Sequence, residues 1–421
     1  MSIRTRLGLL RDHDYRGLFI STSASHFGLA TTLIALPLTA VIALDASPLQ
    51  MGFLAACQTA AFLLIGLPAG AWVDRMRRRR VLITCDLIRA GALLTVPAAW
   101  ALDLLTMWQL YAVAFTLGCA TVFFDVAYQS YLPHLVGRRN LPEGNAKLES
   151  MRAVSEVASP GLGGQLVALL TAPFALAVSA VGIACSALAV AGIRKREPKP
   201  EPKPDANLIR EIREGLFFVV GNPILRAVVI TIASFVFSSS MVMSIIMLYY
   251  TENLGLSPAM IGLISSVVGL GGILGALSVR RLAALIGQGR IIWISCLVGG
   301  PMMLLMAWAE PGWKLWLAVA GMTISSATIV IYNVTQVSFR QAITPDALLG
   351  RMNATIRFIA WGTMPIGGLT GGILGQAFGV QTTMWIGGAG LSVAFLGVFF
   401  SPLRNMKHIP TEPVEAPALV K

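Results

Sequence analysis

Few side chains in this sequence are equipped for chemistry, and most of them stand in apolar surroundings. Asp86 and Arg89 lie three residues apart in "LITCDLIRAG", so a helix would carry them on one face. Asp125 stands alone in "FFDVAYQ". Glu149, Arg152 and Glu156 repeat at spacings of three and four, again one helical face. Arg357 and His26 complete the set. Two chemistries are open to such groups. As ion pairs they hold helices together or form a latch that breaks and reforms; the expected partners of the Glu149–Arg152–Glu156 ladder include Arg89 or Arg357 when the cytoplasmic side is closed. As proton carriers, Asp125, Glu156 and His26 are the candidates, because a desolvated carboxyl group and an imidazole both exchange protons near neutral pH.

Other chemistries find no support. The sequence has no Gly-x-x-x-x-Gly-Lys-Ser/Thr loop, so ATP is not expected to act on it directly, and no His-Glu-x-x-His metal motif. Cys57, Cys85, Cys119, Cys185 and Cys296 are scattered through apolar runs and suit neither a disulfide framework nor a metal cluster. No stretch outside the apolar runs is long enough for a catalytic domain. An enzyme is not expected, and no cofactor beyond a proton gradient.

The elements that must position these groups are helices in a bilayer. The 421 residues are 56% hydrophobic and 12% charged, against about 25% charged in a soluble domain. Windows of about 20 apolar residues, the length that spans the hydrocarbon core, recur twelve times between 17–44 and 381–401. Loops alternate in charge along the chain. The odd-numbered ones ("LDASP", "LDLLT", "LLTAP", "TENLGLSP", "AEPGWK", "AFGVQ") hold one basic residue, Lys314, of 32 in the chain. By the positive-inside bias both termini and the even loops are cytoplasmic. The net charge of +12 is thereby assigned to orientation, not to nucleic acid.

The chain reads as two halves. A charged, Pro-rich stretch, "RKREPKPEPKPDAN", occupies 194–207 and suits an extended, solvated linker. "LIREIREGLFFVV" follows as an amphipathic helix for the inner membrane surface. The expected layout is a six-helix half at 1–193, the linker and amphipathic helix at 194–222, a second six-helix half at 223–403 and a tail at 404–421. "SPLQMGF" at 47–53 recurs as "SPAMIGL" at 257–263, Asn145-Ala146 answers Asn353-Ala354, and Gly163-Gly164 answers Gly371-Gly372. Such matches indicate a duplicated unit, a common transporter plan.

Twelve spans in two halves, a cytoplasmic linker and the loop "GAWVDRMRRRR" between spans 2 and 3 resemble the major facilitator superfamily. The loop is similar to that family's motif A, with Gly70, Asp74 and Arg75 in place and Arg79 in the basic run; the glycine usual after the Asp-Arg pair is missing. The resemblance implies an all-α membrane fold of two pseudo-symmetric six-helix bundles. It also implies that Asp74 and Arg75 form an inner gate, with Asp74 facing the start of span 11, where Arg351 lies. "SPGLGG" resembles the antiporter motif C, with Pro160, Gly161, Gly163 and Gly164 in place and Ser159 for the first glycine. "FFDVAYQSYLPHLV" is similar to the branch that includes the enterobactin exporter and macrolide efflux proteins.

Substrate chemistry is sparsely written. Met241, Met243 and Met247 in span 7 offer adaptable apolar surface. Tyr332, Asn333 and Gln336 in span 10 offer hydrogen bonds. These six are the candidate substrate cavity. The expected activity is proton-coupled efflux of an amphipathic small molecule, drug-like or siderophore, by a monomer in the bacterial inner membrane. Its partners are substrate, protons and lipid, with no nucleic acid and no metal. A nutrient importer of the same fold and a membrane sensor without transport remain open.

Overall fold

A computed structural model defines residues 8–137, 140–195, 197, 208–345 and 348–406. The side chains of Leu67, Ala71, Asp74, residues 208–212, Gln288 and Asn405 fall outside that description. Most of the expected linker and of the expected tail lies outside it too.

Six long helices come first: α1 (His13–Leu44), α2 (Pro48–Asp74), α3 (Arg78–Ala101), α4 (Met107–Val136), α5 (Leu141–Leu170) and α6 (Ala172–Ala191). A shorter helix, α7 (Leu208–Gly221), precedes six more. These are α8 (Pro223–Leu248), α9 (Pro258–Ile286), α10 (Gln288–Met302, continued by Leu304–Ala307), α11 (Trp313–Ala342), α12 (Leu349–Phe378) and α13 (Val380–Val393, continued by Leu396–Phe399). No strand occurs among the described residues.

Their ends follow local chemistry. Asp12 starts α1 by accepting hydrogen bonds from the backbone N–H groups of Asp14 (2.8 Å) and Tyr15 (2.9 Å). Asn222 does the same for α8 through Ile224 and Leu225 at 2.9 and 3.2 Å, with Pro223 in the first turn. Among the described residues, 11 helices are long and apolar enough to cross a membrane. The expected span at 354–378 is present as α12, a 30-residue helix. It is not among the 11; its glycine-rich run "GGLTGG" replaces apolar side chains with backbone.

The residues divide into two compact units. One comprises Met1–Ala46, Ala60–Lys203 and Ser257–Ser266; the other comprises Ser47–Thr59, Pro204–Leu256 and Val267–Lys421. Each unit therefore takes in the first turns of one helix from the other sequence half. The reason is close backbone packing. The start of α9 lies against α5 in the first unit, and the start of α2 lies against α12 in the second.

Tyr15, Leu82, Phe124 and Tyr131 sit in the core of the first unit. Phe339, Met352 and Leu403 sit in that of the second. Helix α7 has one face in the core and another that exposes Leu216, Phe217 and Val220. Its Phe218 and Val219 are buried in the core of the second unit, and a side chain at Gly215 would run into the Arg351 backbone of α12, 2.9 Å from its carbonyl oxygen. Arg351 pairs with Glu214 of α7.

Candidate functional site

The first unit holds a polar centre built from four helices. Asp86 and Arg89 on α3 are 0% and 1% exposed, and they form an ion pair. Arg89 Nη1 donates to Asp86 Oδ1 and to Ser25 Oγ of α1, each at 3.3 Å. Its Nη2 donates to the Ala120 carbonyl of α4 at 3.2 Å. The guanidinium also lies 4.5 Å from the centre of the Phe124 ring. On the other partner, Asp86 Oδ2 accepts from Ser186 Oγ of α6 at 2.5 Å, and Oδ1 accepts from Ser25 at 3.3 Å. The pair is thus neutral overall and has hydrogen-bond partners on both sides, the condition under which a charge survives burial.

Other expected groups lie around this centre. Asp125, half-buried on α4, lies within electrostatic reach of Arg89. His26, half-buried on α1, lies within reach of Arg152, Arg89 and Glu149. The α5 ladder forms within its own helix. Arg152 pairs with Glu149 at 2.9 Å and with Glu156 at 3.5 Å, and all three side chains are more than half exposed. Arg89 is held by Asp86 three residues away; the expected pairing of the ladder with Arg89 or Arg357 concerns the state closed to the cytoplasm. Arg357, in the second unit, lies over the Trp361 ring at 4.3 Å.

The basic loop after α2 has structural work beyond orientation. Arg79 donates from Nε to the Val190 carbonyl (3.2 Å) and from Nη2 to the Ala191 carbonyl (2.5 Å), capping the last turn of α6. Glu197 accepts from the Arg79 backbone N–H at 3.2 Å and pairs with Arg78 at 3.7 Å; its side chain is 6% exposed. Asp14 accepts from the backbone N–H groups of Arg194 and Lys195 at 2.7 and 3.1 Å. The described start of the linker is therefore fastened to the first unit. Arg75 is exposed, and a Cβ on Gly70 would meet open space. Asp74 closes α2, and its side chain lies outside the described residues.

The glycines of α5 are crossing points. A Cβ on Gly163 would stand 3.2 Å from the Thr31 side chain of α1, and one on Gly161 would stand 2.7 Å from Ser266 Oγ of α9. A Cβ on Gly164 would stand 2.8 Å from the Gly262 Cα, and Pro160 presents its carbonyl to the same glycine. The second unit repeats the arrangement, since a Cβ on Gly372 would stand 2.8 Å from the Gly52 Cα. Glycine is required where backbones approach this closely.

In the second unit, Tyr332 and Asn333 line a cavity of about 100 Å³ with Phe235, Cys296 and Thr328. Gln336 and Arg340 follow Tyr332 at steps of four on α11, and all three are less than 9% exposed. Tyr332 Oη, Gln336 Oε1 and Arg340 Nε have no hydrogen-bond partner among the described residues. The methionines do not line this cavity. Met241 is buried against Gly371 and Gly387, Met243 is 48% exposed and Met247 is half-buried. An alternate polar spacing of four along "YNVTQVSFRQ" was the available signal for Arg340. Nothing in the sequence marked Ser25, Ser186 or Glu197.

Comparison with known proteins adds three observations. A family model described as transmembrane secretion effector matches residues 5–420. The chain is 27% identical to the multidrug efflux pump Tap of Mycolicibacterium fortuitum over 401 residues, 91% of this chain and 93% of that one. It is 26% identical to the enterobactin exporter EntS of Citrobacter koseri over 428 residues, 98% of each. In fold it resembles the crystal structure of the nucleoside transporter NupG, with a TM-score of 0.76 at 13% identity over 92% of this chain and 99% of that one.

Proposed function

The chain belongs to the transmembrane secretion effector family of major facilitator transporters, and from that premise we propose that it exports an amphipathic small molecule in exchange for protons. It is a multi-pass membrane transporter and not an enzyme. Export is supported by two relatives that cover nearly its whole length and are named an efflux pump and an exporter. Their cargoes, by name, suggest the substrate class: a drug-like compound or a siderophore. The chain lies in the inner membrane with both termini cytoplasmic, works as a monomer and moves its halves, 1–193 and 223–403, by alternating access. Gly70, Asp74 and Arg75 serve its inner gate.

One observation carries the proton assignment. Asp125 is a half-buried carboxylate within the field of the buried Asp86–Arg89 pair, so loading it with a proton changes the balance of charge at that centre. Glu156 is the weaker candidate because its side chain is 62% exposed and already belongs to the surface ladder. Asp125→Asn keeps the shape and removes the titration. In proteoliposomes with an imposed pH gradient, the wild-type chain should drive a fluorescent amphipathic dye against its gradient, and Asp125→Asn should abolish that accumulation. Full activity in both Asp125→Asn and Glu156→Gln would remove the proton assignment. Dye movement down the proton gradient's own direction would overturn export.

A further inference from the structure

The five arginines of the loop after α2 divide into two groups. Arg78 and Arg79 are engaged by Glu197 and by the end of α6. Arg75, Arg77 and Arg80 are exposed and line one end of a groove of about 740 Å³ in the first unit. The other end is apolar, formed by Ile88 of α3 and Phe123 of α4. None of the described lining residues is acidic; the side chain of Asp74, next to Arg75, is outside the description. Trp72 stacks on Phe123, with ring centres 6.0 Å apart. Met76, Trp72 and Ile88 are 50%, 46% and 46% exposed.

The groove is graded along α3. Arg77 and Arg80 stand at its start, Thr84 follows, and Ile88 comes last, roughly 16 Å along the axis from Arg77 at 1.5 Å per residue. Three guanidinium groups at one end favour an anion. Exposed apolar side chains at the other end belong in hydrocarbon. A soluble anion would fill only the cationic end and leave the apolar wall wet. Only an amphiphile with a negative head and apolar tails satisfies both ends, and the loop's basic charge places that head at the cytoplasmic surface.

We propose that this groove binds an anionic phospholipid of the inner leaflet. Its phosphate lies among Arg75, Arg77 and Arg80, and its acyl chains run along Ile88 and Phe123. Basic pockets beside membrane helices recognise anionic head groups in this way. The three guanidinium groups favour a head with a net negative charge over a zwitterionic one.

Native mass spectrometry of the purified full chain in detergent tests this. The probes are phosphatidylglycerol, phosphatidylcholine with the same acyl chains, and glycerol 3-phosphate. Wild type should retain one phosphatidylglycerol in preference to phosphatidylcholine, and millimolar glycerol 3-phosphate should not displace it. Each arginine near an anionic head is worth roughly fivefold in affinity, so Arg77→Gln/Arg80→Gln should weaken phosphatidylglycerol binding by roughly 25-fold. Arg77→Lys/Arg80→Lys, which keeps the charge and the orientation signal, should retain most of it. Ile88→Ser should weaken both lipids alike. Equal retention of the two lipids by wild type would overturn the proposal. So would unchanged phosphatidylglycerol binding in the Gln variant with a native thermal transition, or displacement by glycerol 3-phosphate, which would make the groove a site for free phosphate esters.

Discussion

Replacing Arg89 with methionine tests whether the buried centre of the first unit works as a closed charge pair. Methionine fills much of the arginine's volume and lacks its charge. Asp86 would keep its hydrogen bonds from Ser25 and Ser186, yet it would lose its only ion-pair partner among the described residues. Stranding one member of a buried pair costs about 3–5 kcal/mol. The lower end applies here because two hydroxyl donors remain, so we expect about 3 kcal/mol. For a chain of 421 residues that corresponds to a fall of about 3 °C in the thermal transition. The assay is thermal unfolding of the purified protein in detergent, followed by intrinsic tryptophan fluorescence. The double variant Asp86→Asn/Arg89→Met removes the stranded charge and should recover at least half of the loss. A single variant within about 1 °C of wild type would refute the reasoning, since the structure then overstates the isolation of the pair. A double variant that loses the sum of the two single losses would also refute it, because interacting residues are non-additive.

Three other outcomes follow from named contacts. Gly164→Val and Gly372→Val force a side chain into backbone at 2.8 Å, so each should lose about 1–3 kcal/mol in the same assay. Gly91, whose Cβ would meet open space, is the control: Gly91→Ala should lose nothing, and equal losses at all three would show the crossings to be ordinary. Arg79→Gln removes charged hydrogen bonds from the last carbonyls of α6, and hydrogen exchange at residues 188–193 should accelerate at least tenfold for an expected loss of about 1.5–3 kcal/mol; unchanged exchange would return that arginine to a purely topological role. Glu214→Gln should loosen α7 from the start of α12 and raise exchange in both segments, and faster exchange in α7 alone would mean that Arg351 is held by something else.

The helices were legible because their signal is physical and local. A run of apolar residues as long as the hydrocarbon core has little choice but to span it. The signal weakens where another requirement competes, as in α12, where glycines needed for close packing replace the apolar side chains that a hydropathy measure counts. The internal repeat was legible for the same reason. Gly163-Gly164 and Gly371-Gly372 match in sequence because Gly164 and Gly372 each face a glycine backbone, Gly262 in one case and Gly52 in the other. No side chain fits there, so the residue type itself records the contact.

Partnership among the ionisable residues was legible only within one helix. The three-residue spacing of Asp86 and Arg89 announced a pair, and so did the α5 ladder. What completes the buried pair comes from far along the chain: Ser25 lies 61 residues and Ser186 lies 100 residues from Asp86. A serine in an apolar helix carries no mark of this. Several in this protein bond back to their own helix, as Ser23 does to the Phe19 carbonyl at 2.6 Å. The methionines are ambiguous in the opposite sense. Their flexibility suits a variable ligand and an irregular core equally, and Met241 is core because Gly371 and Gly387 remove the space around it.

The basic loop shows why a charge pattern underdetermines function. Positive-inside bias needs only a number of arginines on one side, and it is blind to their order. The structure makes order decisive. Arg79 points its guanidinium at the end of α6, Arg78 meets a buried glutamate from the linker, and Arg75, Arg77 and Arg80 remain on the groove. Helical geometry enforces the split, since consecutive residues at the start of α3 are turned about 100° apart. Exchanging Arg79 with an apolar neighbour would leave the loop's charge, and so its orientation, untouched, yet it would unfasten α6. That difference separates a residue that marks a side of the membrane from one that holds the bundle together.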